Sequence, residues 1–251
     1  MKVVFIILLF FFKFQYLNAL EFVGKFEQGS FILGKTSPNS KIKIDNRKIR
    51  VSKDGYFAFG LDRDRKNNVV IKITKNGKSK TIEKTVRKRD YKIQRIDGLP
   101  PKQVTPPPEV YERIKKDNIL IGKARSIDTP YDFFKDKFIF PIDKYTITGV
   151  YGSQRILNGK PRRPHYGIDF HAPEGTPVKA MMDGEVTLAE DDMYFTGGTI
   201  IFDHGHGIST LYMHMKDINV KVGQKIKQGQ IVGSLGQSGR ATGPHLDIRL
   251  N

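Results

Sequence analysis

From about residue 130 to Asn251, glycine interrupts the chain at short intervals: GVYGS, PEGTPV, MDGEV, FTGGT, DHGHG and VGQKIKQGQIVG. Between these breaks stand short β-forming runs, and almost no window repeats apolar residues at helical spacing. A stretch so divided has room for strands and turns but not for long helices. It predicts an all-β domain over residues 130–251, built as one compact sandwich of small sheets. The earlier part of the chain is also β in character. FILG, KIKI, KIRV, YFAFGL and VVIKI, within residues 21–96, are rich in β-branched and aromatic residues and predict a small antiparallel β-sandwich. Asp54-Gly55 and Asn76-Gly77 lie between such runs and are read as hairpin turns. This amino-terminal segment holds no histidine, no cysteine and no glycine-rich loop opening a helix, so it is read as an accessory domain that binds or spaces.

GLPPKQVTPPPEV, residues 98–110, separates the two, because proline fixes φ and favours an extended segment. Val110, Ile114 and Ile121 follow at helical spacing, so residues 97–129 are read as a proline-rich linker and a tether helix of three or four turns. Residues 1–20 have another character. Met1-Lys2, the apolar run VVFIILLFFF and then KFQYLNAL, with Ala19 at a cleavage position, form the pattern of a secretory signal peptide. The chain is therefore expected to be exported, to the periplasm or cell envelope; an uncleaved signal acting as an anchor is the rival reading. No later stretch approaches the roughly 20 apolar residues of a membrane span. With no cysteine, no disulfide stabilises the chain there.

The net charge of +17 points to an anionic partner. Much of the excess lies in residues 72–92, where the alternation suits strand faces rather than a helix that reads phosphates. For an exported chain this favours an anionic envelope surface over nucleic acid.

All six histidines fall between His165 and His245. In PHYGIDF, strand alternation puts His165, Gly167 and Asp169 on one side, with the glycine leaving space between two polar groups. An imidazole and a carboxylate make good zinc ligands, though a solvated loop would look the same in sequence. By the same parity His171 is assigned to the opposite face. In LYMHM, Tyr212 and His214 share a face, with Leu211, Met213 and Met215 on the core side. In GPHLDI, His245 and Asp247 face one way and Leu246 and Ile248 the other, which an ordinary amphipathic edge strand would also do. His204 and His206, flanked by glycine, are read as part of a hairpin turn. Three β segments, each presenting His or Asp on its polar face, could supply three ligands and an open water position, as in a catalytic zinc site.

Taken in order, GVYGSQR, HYGIDFHAPEGTPVKAMMDGEV, FDHGHGISTLYMHM and VKVGQKIKQGQIVGSLGQSGRATGPHLD resemble the lysostaphin-type zinc metalloendopeptidases that cut cell-wall peptidoglycan. The resemblance implies a β fold with zinc on the face of its main sheet; manganese, a less favoured ion, is suggested by a carboxylate-rich ligand set and not by the resemblance. It implies His165 and Asp169 as metal ligands, His245 and His214 as catalytic residues and peptidoglycan peptides as substrate; Tyr212, read as sharing the face of His214, is expected to orient it. The family ends its last motif in His-x-His; here Asp247 stands at the third ligand position. Aspartate ligates zinc but is shorter and brings a negative charge, so the resemblance implies a weakened centre. The family also continues past this strand, so the chain is read as cut short after Asn251. The alternative reading is a metal-free degenerate relative that binds the wall or regulates another wall hydrolase. A lipoyl-type carrier, suggested by VGQKIKQGQIVG, is set aside because Lys216 stands beside a strand and not at a hairpin tip.

Overall fold

The structure, a computed structural model, describes residues 20–98 and 104–251. The signal segment read over residues 1–20 lies outside the described residues except for Leu20, as does part of the proline-rich segment.

The all-β expectation holds. In the amino-terminal part, β1 (Glu21–Val23), β2 (Phe31–Lys35) and β5 (Tyr56–Gly60) form one sheet; β3 (Lys41–Ile44), β4 (Arg47–Ile49), β6 (Val69–Lys75) and β7 (Lys78–Lys84) form the other, in the order β4-β3-β6-β7. Strand alternation turns Ile32, Ile42, Ile44, Phe57, Phe59, Val69 and Ile71 inward to a shared core, leaving the lysines of the same strands outside. Asn76-Gly77 closes the β6–β7 hairpin with φ of 49° and 74°, a pair of left-handed residues that matches strand twist. Asp54-Gly55 does not close a hairpin. Its flanking strands β4 and β5 pair with β3 and β2 in different sheets, so the turn is a crossing between layers. Dipeptide chemistry sets a tight turn; it does not say which strand the chain meets next.

Helix α1 (Tyr111–Arg125) precedes the carboxy-terminal strands: β9 (Thr146–Gly149), β10 (Gln154–Leu157), β11 (Lys160–Pro161), β12 (Ile168–His171), β13 (Pro177–Lys179), β14 (Gly184–Met193), β15 (Gly197–Asp203), β16 (Ser209–Ile218), β17 (Lys225–Ile226), β18 (Ile231–Leu235) and β19 (Leu246–Leu250). β8 (Ile93–Ile96) runs parallel to β10 and, with β11, makes a small sheet that joins the two halves of the chain.

The main sheet runs β17-β14-β15-β16-β19-β12-β9, and β18 pairs with both β16 and β13. One face is mainly apolar: Phe170, Ile200, Phe202, Tyr212, Leu246 and Ile248 pack against Val178, Ile226, Val232 and Leu235. The other face is divided. Over β14–β16, Leu188, Ile201, Leu211 and Met213 are covered by Ile121 and Ala124 of α1. The helix is held there by Asp117, which accepts the Tyr194 N–H at 2.8 Å, and by the Arg113–Asp192 ion pair at 2.8 Å. Over β16, β19 and β12 the same face turns polar, and that is where the chemistry collects.

The turn between β15 and β16 is pinned by His204. Its Nδ1–H donates to the Asp183 carbonyl at 2.6 Å and its Nε2 accepts from the Thr210 hydroxyl at 2.8 Å, the pattern of a neutral ring. Burial pushes its pKa from 6.5 down to about 4. Folding therefore favours the neutral form: the contribution is fully present above pH 6.5 and is lost as pH falls toward 4, about 3 kcal/mol in all. His204→Gln should flatten the fall in urea-unfolding stability between pH 7 and pH 4 relative to the parent chain; an unchanged difference across that range would contradict the assignment.

Candidate functional site

Asp169 on β12 and Asp247 on β19 occupy directly opposed positions of an antiparallel pair. Both are buried, at 5% and 2% exposure, on the polar part of the face that α1 leaves uncovered. Two like charges opposite one another in a dry sheet destabilise it unless positive charge lies between or beside them. His165 provides part of it. Its Nε2 lies 3.0 Å from Asp169 Oδ1 and 3.2 Å from Asp247 Oδ2. The ring is held by its own backbone, which donates to the Ser153 carbonyl at 2.8 Å and accepts from Gly152 N–H at 2.7 Å.

Two glycines make space for the carboxylates. A Cβ at Gly167 would stand 2.0 Å from Asp247 Oδ1, and one at Gly149 would stand 2.0 Å from Asp169 Oδ2. Two arginines complete the surroundings. Arg155 reaches Asp169 Oδ2 at 3.2 Å, and Arg249 reaches Asp247 Oδ2 at 2.9 Å. Burial by itself would depress the His165 pKa, but the two aspartates outweigh it and raise it. Burial would likewise raise that of Asp247, but His165 and Arg249 hold it well below the usual carboxylate range.

Polar capacity is left over. His165 Nδ1 and Asp169 Oδ1 are buried without a hydrogen-bond partner, the 3.0 Å approach of His165 to Asp169 being outside hydrogen-bond geometry. One ligand atom from each of His165, Asp169 and Asp247 lies within 4.8 Å of the other two. An imidazole nitrogen and two carboxylate oxygens, converging in a buried pocket with glycine-sized clearances, fit a divalent ion such as zinc or manganese.

His214 and His245 stand together, with ring centroids 4.6 Å apart. Each donates its Nδ1–H to a carbonyl, Ser238 for His214 and Gly243 for His245, both at 2.8 Å. In the neutral form of either ring, Nε2 then carries the lone pair. Burial, and then the neighbouring His245, lower the His214 pKa to about 4. His214 gets there by a route that alternation does not foresee. Tyr212 pairs with Ile200 and Met215 with Gly198, so Met213 and His214 together oppose one residue, and His214 takes φ of 64°. This β-bulge turns His214 to the site side of the sheet. Tyr212 stays on the other side, in the apolar core, where its hydroxyl accepts the Met181 N–H at 2.9 Å. Leu211 and Met213, expected with Met215 on the core side, instead face α1 and the site. The reading of Tyr212 as a partner of His214 is thereby corrected.

His171 is the second correction. Residues two apart on a strand share a face, so it lies with Asp169 and not opposite; its Nδ1 donates to the Pro244 carbonyl at 2.8 Å and ties down the turn before His245. His206 stands away from the site, packed on Phe134 at 5.0 Å. Arg155 and Arg249 were not foreseen. Strand parity from Asp247 points to Arg249, whereas nothing local in the sequence points to Arg155. The histidine pair, the His165–Asp169–Asp247 cluster, His171, Arg155 and Arg249 line one groove of about 1080 Å³ that also takes in Gln94 and Ile96 of β8 and Ile121 of α1.

An all-β sandwich with a buried imidazole–dicarboxylate cluster beside a histidine pair is a scaffold for hydrolytic metal chemistry. Residues 163–251 match the profile of peptidase family M23. Peptidoglycan DD-endopeptidase ShyA of Vibrio cholerae is 39% identical over 113 residues, which are 44% of this chain and 26% of that protein. The catalytic domain of the antimicrobial peptidase lysostaphin from Staphylococcus simulans is 38% identical, over 42% of this chain and 79% of that one, with a TM-score of 0.39. The chain belongs to peptidase family M23. A structure described as a peptidase M23 from Pseudomonas aeruginosa covers 90% of each chain with a TM-score of 0.68 at 23% identity, so the fold is shared across both halves. The chain spans about a quarter of the length of the first curated relatives it matches.

The two carbonyl contacts predict a definite protonation pattern. Long-range 1H–15N spectra at pH 7.5 should show His214 and His245 as Nδ1–H tautomers, with His214 remaining neutral until about pH 4. An Nε2–H ring at either position, or a His214 that charges near pH 6.5, would break the assignment.

Proposed function

We propose that this chain is an exported metal-dependent endopeptidase that hydrolyses peptide bonds in peptidoglycan, with His165, Asp169 and Asp247 as ligands of one zinc ion. The observation that carries the reading is the convergence of three ligand atoms within 4.8 Å, with buried polar capacity left over. The names of relatives such as ShyA support the reaction and the substrate class. The signal-like start supports a place in the cell envelope, and among the described residues no helix is long and apolar enough to cross a membrane.

When bound, such an ion supplies Lewis acidity to a carbonyl and acidity to a water. The residues do the rest. His245, less buried than His214 and with its Nδ1–H held by the Gly243 carbonyl, takes the proton of the attacking water at Nε2 as general base. The proton that His245 gains passes on to the leaving amine, while His214, kept neutral by burial with its Nδ1–H on the Ser238 carbonyl, accepts a hydrogen bond at Nε2 and orients the attacking water. Arg155 and the 149–153 turn hold Asp169 and His165 in place, so the ligands arrive pre-positioned.

A specific observation favours a second reading. Arg155 and Arg249 already pair with the two carboxylates, so the cluster has a route to charge balance with no metal. That is how a degenerate relative that binds the wall or regulates another hydrolase would look. Metal analysis separates the two. The full chain should carry about one zinc and digest purified sacculi. His165→Ala should lose both zinc and digestion, and His245→Ala should keep zinc while digestion falls by about 10²–10⁴-fold. A chain that neither binds zinc nor digests sacculi moves the assignment to the second reading.

The glycine clearance yields a further expectation. Gly167→Ala puts a methyl group where Asp247 Oδ1 stands, so zinc occupancy should fall sharply while stability drops only by about 1–3 kcal/mol. Zinc titration alongside urea unfolding checks it; unchanged zinc affinity would remove Asp247 from the ligand set.

A further inference from the structure

The groove over the site is strongly cationic. Arg125, Arg155, Arg162, Arg163, Arg240 and Arg249 line it, against three carboxylates, Asp62, Asp169 and Asp247. Arg155 and Arg249 are engaged by Asp169 and Asp247. Arg162 is part-buried, with one nitrogen on the Thr105 hydroxyl at 3.2 Å and its buried Nε without a hydrogen-bond partner. Arg240 lies on the Phe195 ring at 4.4 Å, and its backbone is tied to Phe195 by a 2.9 Å hydrogen bond. Arg155, Arg162, Arg240 and Arg249 thus line one groove together, and loss of hydration, then the charges of the other three, lower the Arg240 pKa.

Like charges gathered along a cleft raise its potential and are stabilised when an anion enters. The planar fork of arginine matches a carboxylate with two parallel hydrogen bonds. We infer that the groove selects a peptide bearing free carboxylates beside the bond to be cut, with Arg162 and Arg240 as specificity-determining residues. This inference rests on the peptidase reading for its occupant. The geometry favours a peptide over a nucleic acid: Asp169 and Asp247 lie in the groove floor, where a continuous line of phosphates passing over them would be repelled. A peptide can instead place its few carboxylates against the arginines and its neutral amides over the floor.

Two fluorescent peptides decide the matter, alike except that the carboxylates flanking the central amide are carboxamides in one. Binding to the full chain, stripped of metal by a chelator, is read by anisotropy, so no hydrolysis is required. The acidic peptide should bind at least about tenfold more tightly. Arg162→Gln and Arg240→Gln should each remove most of that preference, and Arg240→Lys, which keeps the charge but not the fork, should restore only part of it. Lys80→Gln, an equal loss of charge on an exposed strand of the amino-terminal sandwich, should leave it intact. Equal binding of the two peptides overturns the inference. So does an equal loss with Lys80→Gln, or equally strong competition by an oligonucleotide of matched charge. Hydrolysis by the zinc-loaded chain is scored separately. Selective binding without cleavage sinks the peptidase reading and spares the groove; cleavage of both peptides at equal kcat/KM does the reverse.

Discussion

Two carboxylates face each other across a pair of buried strands, and the rest of the site is an answer to that. Asp169 and Asp247 are register partners, so the sheet itself forces them together. In a dry interior an uncompensated pair of this kind is strongly unfavourable. The chain surrounds it with an imidazole from the segment before β12, a guanidinium from β10 and a guanidinium two residues further along β19. Gly149 and Gly167 then remove the side chains that would otherwise fill the space the oxygens need. None of these choices helps an ordinary sandwich core. Together they describe a place prepared for positive charge.

The scaffold explains how such an unfavourable arrangement is held. The main sheet is anchored from behind by a mainly apolar layer that includes Phe170, Met215, Leu246 and Ile248, each next to a site residue in sequence. Asp169, His214, His245 and Asp247 are thus each the immediate neighbour of a buried apolar group on the back, and the core's rigidity is transmitted to them along the strands. Burial of such side chains contributes roughly 1.5–3 kcal/mol apiece, which offsets the unfavourable front face. The helix seals the apolar part of that front face and stops where the polar part starts, so the groove opens beside the cluster and not over the core.

Much of this was legible in the sequence. Glycine-punctuated β runs specify an all-β chain, and the quoted motifs single out His165, Asp169, His214, His245 and Asp247 as a set. Parity also works where strands are regular: Leu246 and Ile248 face the core and Asp247 the site. It fails at β16, because a bulge inserts an extra residue without any change in composition. Tyr212 and His214, two apart, end on opposite faces. Strand parity did point to His171 as a neighbour of Asp169, so its omission was a misapplied rule and not a hidden fact. Arg155 is different. Its partnership with Asp169 is a side-chain contact between β10 and β12, strands of different sheets, and no local pattern carries that information.

Asp247 is where sequence and structure argue most directly. Read alone, a second aspartate in a metal site removes one unit of positive charge relative to a histidine and so weakens the centre as a Lewis acid. The structure supplies a counterweight at i+2: Arg249 sits on the same carboxylate oxygen that approaches His165. A carboxylate that shares its charge with a guanidinium donates less to any cation, and the pair together is closer to a neutral ligand than aspartate by itself. The expected weakening then depends on reach more than on charge. Reach is what Gly167 governs, since its missing side chain is the space in which Asp247 lies. Asp247, Arg249 and Gly167 therefore act as one unit, and the proposed centre stands or falls on the three together.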